Sequence, residues 1–230
     1  MPETAKKRIA IVAALEREIR LLVKNWQVSE REHDGRRFRF FENDDVVLVC
    51  GGIGTAPARR AAEAVIALFN PDTVYSVGFA GALDSELKVG HVLRPQRVIN
   101  ASDGSSRLLD EGEGVLVSFG SVASPQQKRR LQESFGARAV DMEAAAVARV
   151  AEIRGIDFAA IKAISDESDF EFPSTERFID WEGNFLEGRF AMFAAMRPWL
   201  WWQTLRLAKN SSRASRSLCA SLAKLCTPGR

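Results

Sequence analysis

Val140-Asp141-Met142-Glu143-Ala144-Ala145-Ala146 and, further along, Ala163-Ile164-Ser165-Asp166-Glu167-Ser168-Asp169 are built alike. Each begins as a short apolar strand and ends in carboxylates at the strand's C-terminal end. In open α/β sheets that is the edge where ligands bind. A carboxylate there can accept hydrogen bonds from a sugar diol or carry a proton. Together the two stretches point to an enzyme that handles a ribosyl compound.

Outward from these stretches, strands and helices alternate. Arg8–Ala14 (RIAIVAA) is an apolar run of strand length, expected to be buried on both faces. Glu16–Asn25 has helical spacing through Ile19, Leu22 and Val23. Arg36–Glu42 and Asp45–Cys50 read as paired strands turning at Asn43-Asp44, and Gly51-Gly52-Ile53-Gly54 breaks the second. Ala56–Phe69 is a helix with Ala58, Ala62, Val65 and Leu68 on one face. Thr73–Val77 is a strand entering Gly78-Phe79-Ala80-Gly81-Ala82. Val89–Ala101 is extended, Ser102–Gly114 a polar loop and Val115–Phe119 a strand. Ser124-Pro125 reads as a helix cap followed by proline at the first helical position. Gly136–Val140 is a strand, Met142–Arg154 a helix, Phe158–Ile164 a strand and Ser174–Met196 a long helix. This order predicts a single α/β domain with a twisted, mostly parallel or mixed central sheet and helices on both faces. Residues 1–196 are expected to form the catalytic domain and 197–230 a basic, Trp-rich extension.

The chain has 230 residues and three cysteines, Cys50, Cys219 and Cys226, with no C-x-x-C spacing. An odd count without metal spacing argues against a disulfide framework or a zinc site and for a reducing, cytoplasmic setting. The charged N-terminus has no apolar core of a secretory signal, and no run is long and apolar enough to span a bilayer. His33 and His91 are isolated, and nothing indicates a metal or a redox cofactor. Charge is unevenly placed. Residues 188–230 hold eight Lys or Arg and no acid, leaving 24 basic against 30 acidic groups in the body.

The ordered segments IAIVAALEREI, GGIGTAPA, VGFAGAL with LKVG, VDMEAAAVA and AISDESD resemble the nucleoside phosphorylase and nucleosidase superfamily over residues 8–196. The resemblance is strongest to methylthioadenosine/S-adenosylhomocysteine nucleosidases. It implies that Asp166 donates a proton to the departing purine, with Ser165 orienting its carboxyl. It implies that Glu143 accepts hydrogen bonds from the ribose hydroxyls while Met142 packs on the sugar, and that Glu18 activates the attacking water. Ile53 matches an apolar residue near the 5′ substituent, and Val122 the position beside the base. The implied substrate is a purine or adenosyl nucleoside, cleaved at its N-ribosidic bond without a cofactor. The implied assembly is a homodimer with no nucleic-acid partner.

Several positions depart from the family pattern. Ser76 stands where phosphorylases commonly carry an arginine, and Phe79 where they carry Ser or Thr. Both favour water over phosphate as nucleophile. Asp141 replaces the usual Glu before Met142. Phosphorolysis by a purine-type or hopanoid-associated phosphorylase is the alternative, with phosphate as co-substrate. A non-catalytic, membrane-associated binding protein of the same fold is a third reading. The tail, with Trp199, Trp201 and Trp202 among basic residues, has the composition of an interfacial helix. It is equally that of a terminal helix packed on its own domain.

Overall fold

Ile9–Ala13 forms β1, the strand at the centre of the architecture. It pairs in parallel with β4 (Val46–Cys50) on one side and β5 (Thr73–Ala82) on the other. Ala10 and Val12 face one core cluster, Ile11 and Ala13 the other, and all four are buried. A strand covered on both faces needs no polar alternate, which is why the sequence reads as a continuous apolar run. The computed structural model describes residues 8–171, 178, 180, 182–183, 185–186 and 198–226. The helix expected over 174–196 falls outside them except at isolated positions.

The remaining strands are β2 (Gln27–His33), β3 (Arg36–Asn43), β6 (Val92–Leu93), β7 (Arg97–Asn100), β8 (Ser106–Leu108), β9 (Val115–Ser118), β10 (Ala139–Asp141) and β11 (Asp157–Asp166). The sheet has 11 strands in the order β2-β3-β4-β1-β5-β10-β9-β7-β8, with β11 beside β5 and β6 beside β11. The pairs of β1 with β4 and β5, of β5 with β11, and of β9 with β7 and β10 are parallel. Antiparallel pairs lie at the margins and between β10 and β5. The sheet is therefore mixed.

Helices cover both faces. α2 (Thr55–Phe69) and α4 (Ala144–Arg154) pack with Val12, Val49, Val74 and Ile164 on one face. α1 (Glu16–Ile19) and α5 (Pro198–Cys226) cover the other, where Ile19, Ala214, Leu218 and Leu222 meet Ile11, Leu48, Val77 and Ile161. α3 (Pro125–Phe135) closes a smaller cluster through Leu131, against Ile99 and Val117. Ala214, Leu218 and Leu222 are fully buried, so the second half of the basic extension is part of this core.

Three local outcomes differ from the sequence reading. Within the polar loop expected over Ser102–Gly114, Ser106–Leu108 is a strand, β8, paired antiparallel with β7. The helix expected over 16–25 stops after Ile19. The chain continues in tight turns, Leu22 N donating to Ile19 O at 2.9 Å and Trp26 N to Val23 O at 3.0 Å, which hold Ile19 and Val23 on the sheet. The charged stretch before Arg36 is a strand: β2 pairs with β3 across a two-residue turn, with Asp34 at φ 49° and Gly35 at φ 71°. Charge on a sheet-edge strand resists pairing with other chains.

The feature that positions the site is an exchange of neighbours along β5. β11 occupies one edge of β5 from Thr73 to Gly81. On the opposite edge, β1 pairs only with Thr73–Ser76, and β10 takes over at Gly81 and Ala82. Between them, Val77 to Ala80 have no strand on that edge among the described residues. The gap opens among the C-terminal ends of β1, β5, β10 and β11.

Candidate active site

Asp166 ends β11, where the register against β5 slips between Ile164 and Asp166. Ser165 is the extra residue of this bulge. A bulge re-aims side chains next to functional sites, and here it brings two consecutive side chains together, Ser165 Oγ donating to Asp166 Oδ1 at 2.7 Å. The other carboxylate oxygen, Oδ2, accepts from Lys128 Nζ at 2.5 Å, and Lys128 also donates to the carbonyl of Glu167 at 2.7 Å. Lys128 is 2% exposed and Asp166 3%. The lysine comes from the first turn of α3, which Ser124 and Gln127 fix with a reciprocal capping box behind Pro125. Gly81 makes room for the pair. A Cβ there would lie 2.8 Å from Asp166 Oδ2 and 3.2 Å from Lys128 Cε.

Asp166, Ser165, Phe79, Val122 and Met142 line one cleft, open to solvent, with Lys128, Asp141 and Ser121 also on its walls. Three other sequence-predicted residues, Glu18, Glu143 and Ile53, are not on these walls. Glu143 sits at the start of α4, next to Met142. Its Oε1 accepts from the backbone N–H of Gly54 at 2.8 Å, and its Oε2 from that of Met142 at 3.2 Å. Glu143 thus ties the β10–α4 junction to the glycine turn that carries Ile53. Over that turn lies Gly183, whose carbonyl accepts from Ile53 N at 2.8 Å.

The departure at Asp141 now has a structural account. Its carboxylate is turned away from solvent. Oδ1 accepts from Ser118 Oγ at 2.5 Å, and Oδ2 accepts from Ala144 N at 2.9 Å, which caps α4. Oδ2 also meets Lys162 Nζ at 2.8 Å, and both side chains are at most 1% exposed. Lys162 projects from β11 and donates a further hydrogen bond to Ser76 Oγ at 3.1 Å. Ser76 therefore serves as a buried acceptor for a lysine.

Glu18, in α1, is 4% exposed. Its Oε2 accepts from Leu15 N at 3.3 Å and would lie 2.9 Å from a Cβ at residue 78, so only glycine, here at φ +145°, admits it. Its backbone is held from the far end of the chain. Ser215 Oγ, in α5, donates to the carbonyl of Glu18 at 3.0 Å and to that of Arg17 at 3.2 Å.

Burial sets the electrostatics. It raises the carboxyl of Glu18 above the ordinary range, against the opposing charge of Lys162 and the N–H of Leu15. Burial, with the negative charge of Asp141, pushes Glu143 up to about 7, while Lys162 and the Gly54 N–H pull it back. Burial alone would depress Lys162, but Asp141, Glu143 and Glu18 outweigh it and hold the ammonium above the usual lysine value. Three carboxylates thus gather around one ammonium, next to a second, separate pair of Lys128 with Asp166. Among the described residues no three His, Cys, Asp or Glu side chains are arranged to hold a metal ion. No described helix is long and apolar enough to cross a membrane.

The sequence reading missed both lysines. Lys162 had a signal: it is the one charge within the apolar run Phe158–Ile164. A buried lysine in such a strand needs a carboxylate partner. Lys128 had none, since α3 is polar around most of its circumference and only Lys128 and Leu131 are buried.

Known proteins share this arrangement of elements. The 5′-methylthioadenosine/S-adenosylhomocysteine nucleosidase of Staphylococcus aureus is 28% identical over 212 residues, covering 75% of this chain and 92% of that protein. The Neisseria meningitidis nucleosidase of the same name, solved with methylthio-immucillin-A, superposes with a TM-score of 0.72 at 20% identity, covering 96% of this chain and 98% of that one. The futalosine hydrolase of Helicobacter pylori does so with a TM-score of 0.67 at 20% identity, covering 95% and 98%. These two structural likenesses concern the fold. The family model of the phosphorylase superfamily matches residues 8–123 and 112–192, and by that match across most of its length the chain belongs to the phosphorylase superfamily.

Proposed function

We propose that this chain is an enzyme that cleaves the N-ribosidic bond of a purine, adenosyl-type nucleoside with water. The observation that carries the proposal is the cleft at the strand ends, where Asp166, Ser165 and Met142 share walls, next to the buried Glu18 and the half-buried Glu143. Asp166 lies at the base end and protonates the leaving purine. Glu143 accepts from the ribose diol, Met142 and Phe79 pack on the nucleoside, and Val122 and Ile53 bound the base and the 5′ group. Glu18 takes the proton of the attacking water. The N9–C1′ electron pair leaves with the base, and the C1′–O bond forms to water. Negative charge from Glu143 and Glu18 stabilises the sugar as it becomes cationic. The nucleosidase relatives support the hydrolytic reading and a small-molecule partner.

The cations of the site also favour water. Lys162 is committed to Asp141, and Lys128 to Asp166. Among the described residues no arginine lines the cleft. A buried phosphate dianion needs fixed cationic donors. One observation favours phosphorolysis: Arg17 and Arg20 line a neighbouring pocket that shares Phe79. Base release from methylthioadenosine and related adenosyl compounds, measured with and without phosphate, separates the two. Strict phosphate dependence overturns hydrolysis. Asp166→Asn is expected to fold and to lose about 10²-fold or more in purine release, and wild-type turnover in that variant removes Asp166 from the role.

We further propose a homodimer and a peripheral membrane contact. Trp202 and Leu205, at 79% and 65% exposure, sit on a helix with five basic and no acidic residues between 198 and 226. Sedimentation velocity tests the first. Co-sedimentation with anionic vesicles tests the second, and no binding removes it.

A further inference from the structure

Lys128 is the feature of the site that the proposed roles leave unused. It is buried in a helix that is polar around most of its circumference, its cap is reinforced on both sides, and Gly81 is cut to glycine size around its contact with Asp166. Both oxygens of Asp166 are already donated to, by Ser165 and by Lys128. This places an ammonium proton one hydrogen bond away from the carboxyl that the proposed reaction uses. A leaving purine needs a proton. Lys128 holds the nearest. An ammonium has three N–H bonds, and here one points to Asp166 and one to the Glu167 carbonyl, while the side chain lines the cleft beside Phe79, Ser121 and Val122.

We propose that Lys128 is the proton reservoir for the leaving base, supplying Asp166 as Asp166 supplies the purine. The inference rests on the proposed cleavage of an N-ribosidic bond. As the N9–C1′ bond breaks and its electron pair moves into the base, the base takes a proton from Asp166. Asp166 takes one from the Lys128 ammonium, and the resulting amine is reprotonated from solvent through the open cleft. The water's proton goes to Glu18, so one proton enters the base end for each that leaves the sugar end. Lys128 acts through Asp166, as a positioning and proton-supplying residue. The arrangement selects leaving groups that present a basic ring nitrogen to Asp166.

The test compares wild type, Lys128→Met, Lys128→Arg and Asp166→Asn on two substrates: an adenosyl nucleoside that the wild type cleaves, and para-nitrophenyl β-D-ribofuranoside, whose phenolate departs without a proton. Both Lys128 variants are expected to lose about 10²-fold or more on the purine nucleoside and to stay within several-fold of wild type on the nitrophenyl riboside. Arginine keeps the charge but cannot release a proton, so it separates proton supply from ion pairing. Full rescue by Lys128→Arg overturns the proposal in favour of a fixed charge. Equal losses on both substrates overturn it in favour of a structural role. The readout is a ratio of two rates in one preparation, so it does not depend on the fraction folded, and Lys128→Gln replaces the methionine variant if that one is insoluble. If Asp166→Asn itself retains purine cleavage, the acid role of Asp166 and the reservoir behind it both fall, whereas the functional reading falls only if the wild type releases no base. If Asp166→Asn loses it and the Lys128 variants do not, only the reservoir falls.

Discussion

Removing the charge of Lys162 should destabilise the protein in a pH-dependent way, and the size of the effect follows from its surroundings. Lys162 Nζ lies 2.8 Å from Asp141 Oδ2, and neither side chain is more than 1% exposed. Deleting one partner of such a pair strands the other and costs about 3–5 kcal/mol. The stranded carboxylate has an escape, because it can take a proton instead. For an ordinary aspartate of pKa about 3.9, neutralisation costs about 5.6 kcal/mol at pH 8 but only about 2 kcal/mol at pH 5.5. The cheaper route wins at each pH. Lys162→Met should therefore lose about 3–5 kcal/mol at pH 8 and no more than about 2 kcal/mol at pH 5.5. Urea unfolding followed by tryptophan fluorescence at the two pH values measures both. The double variant Lys162→Met/Asp141→Asn removes both charges and should recover most of the loss at pH 8, although the cap on α4 weakens. A loss below about 1 kcal/mol at pH 8, or an equal loss at both pH values, would refute the reasoning.

Four further outcomes are expected. Glu143, pushed up to about 7, must be ionised to accept from a diol, so kcat/KM should rise as pH climbs through about 7, and Glu143→Gln should lower and flatten that limb. The same raised value means that the native state holds a proton the unfolded chain has given up. Glu143 therefore makes stability fall as pH rises from the ordinary glutamate value to about 7, a slope that Glu143→Gln should remove from urea midpoints. Gly78→Ala places a methyl 2.9 Å from Glu18 Oε2 at φ +145°, whereas Gly120→Ala meets nothing within 4 Å; activity should be lost in the first and kept in the second, and equal activity in both would disconnect Glu18 from turnover. Leu218→Ala, in the core face of α5, should cost about 2–5 kcal/mol in urea unfolding, while Leu205→Ala, at 65% exposure, should cost little, and similar small losses in both would detach α5 from the core.

What the sequence made legible follows from how far each feature reaches. β1 and β4 were readable because a strand buried on both faces leaves an unbroken apolar run. The cap of α3 was readable because Ser124, Pro125 and Gln127 act within one turn. β2 was not read, because its residues are mostly exposed and polar and their alternation carries no apolar face. The signal lay in the turn: Asp34-Gly35 is a two-residue hairpin sequence, and both residues adopt positive φ. The site divides in the same way. Carboxylates at strand ends announced Asp166 and Glu143. Their counter-ions did not announce themselves, since Lys128 is 38 residues from Asp166 in sequence and is brought to it by the packing of α3. Asp141 could be seen to be short, but its jobs of capping Ala144 and neutralising Lys162 depend on a strand that follows a whole helix later.

The two halves of the site solve opposite charge problems. At the proposed base end one ammonium faces one carboxylate, so the pair is neutral. Around Lys162, one ammonium faces Asp141, Glu143 and Glu18. If all three acids were ionised, two negative charges would remain buried and unmatched, and the raised values of Glu18 and Glu143 are the response. That excess is costly in the empty enzyme and useful in the transition state. In the proposed reaction, a ribosyl group that turns cationic beside Glu143 and Glu18 supplies the missing positive charge, favours their ionised forms and lets Glu18 act as a base as the bond to the purine breaks. In the proposed reaction, keeping the Lys128–Asp166 pair apart from the carboxylate cluster around Lys162 lets a single fold hold a proton donor and a proton acceptor at the same pH.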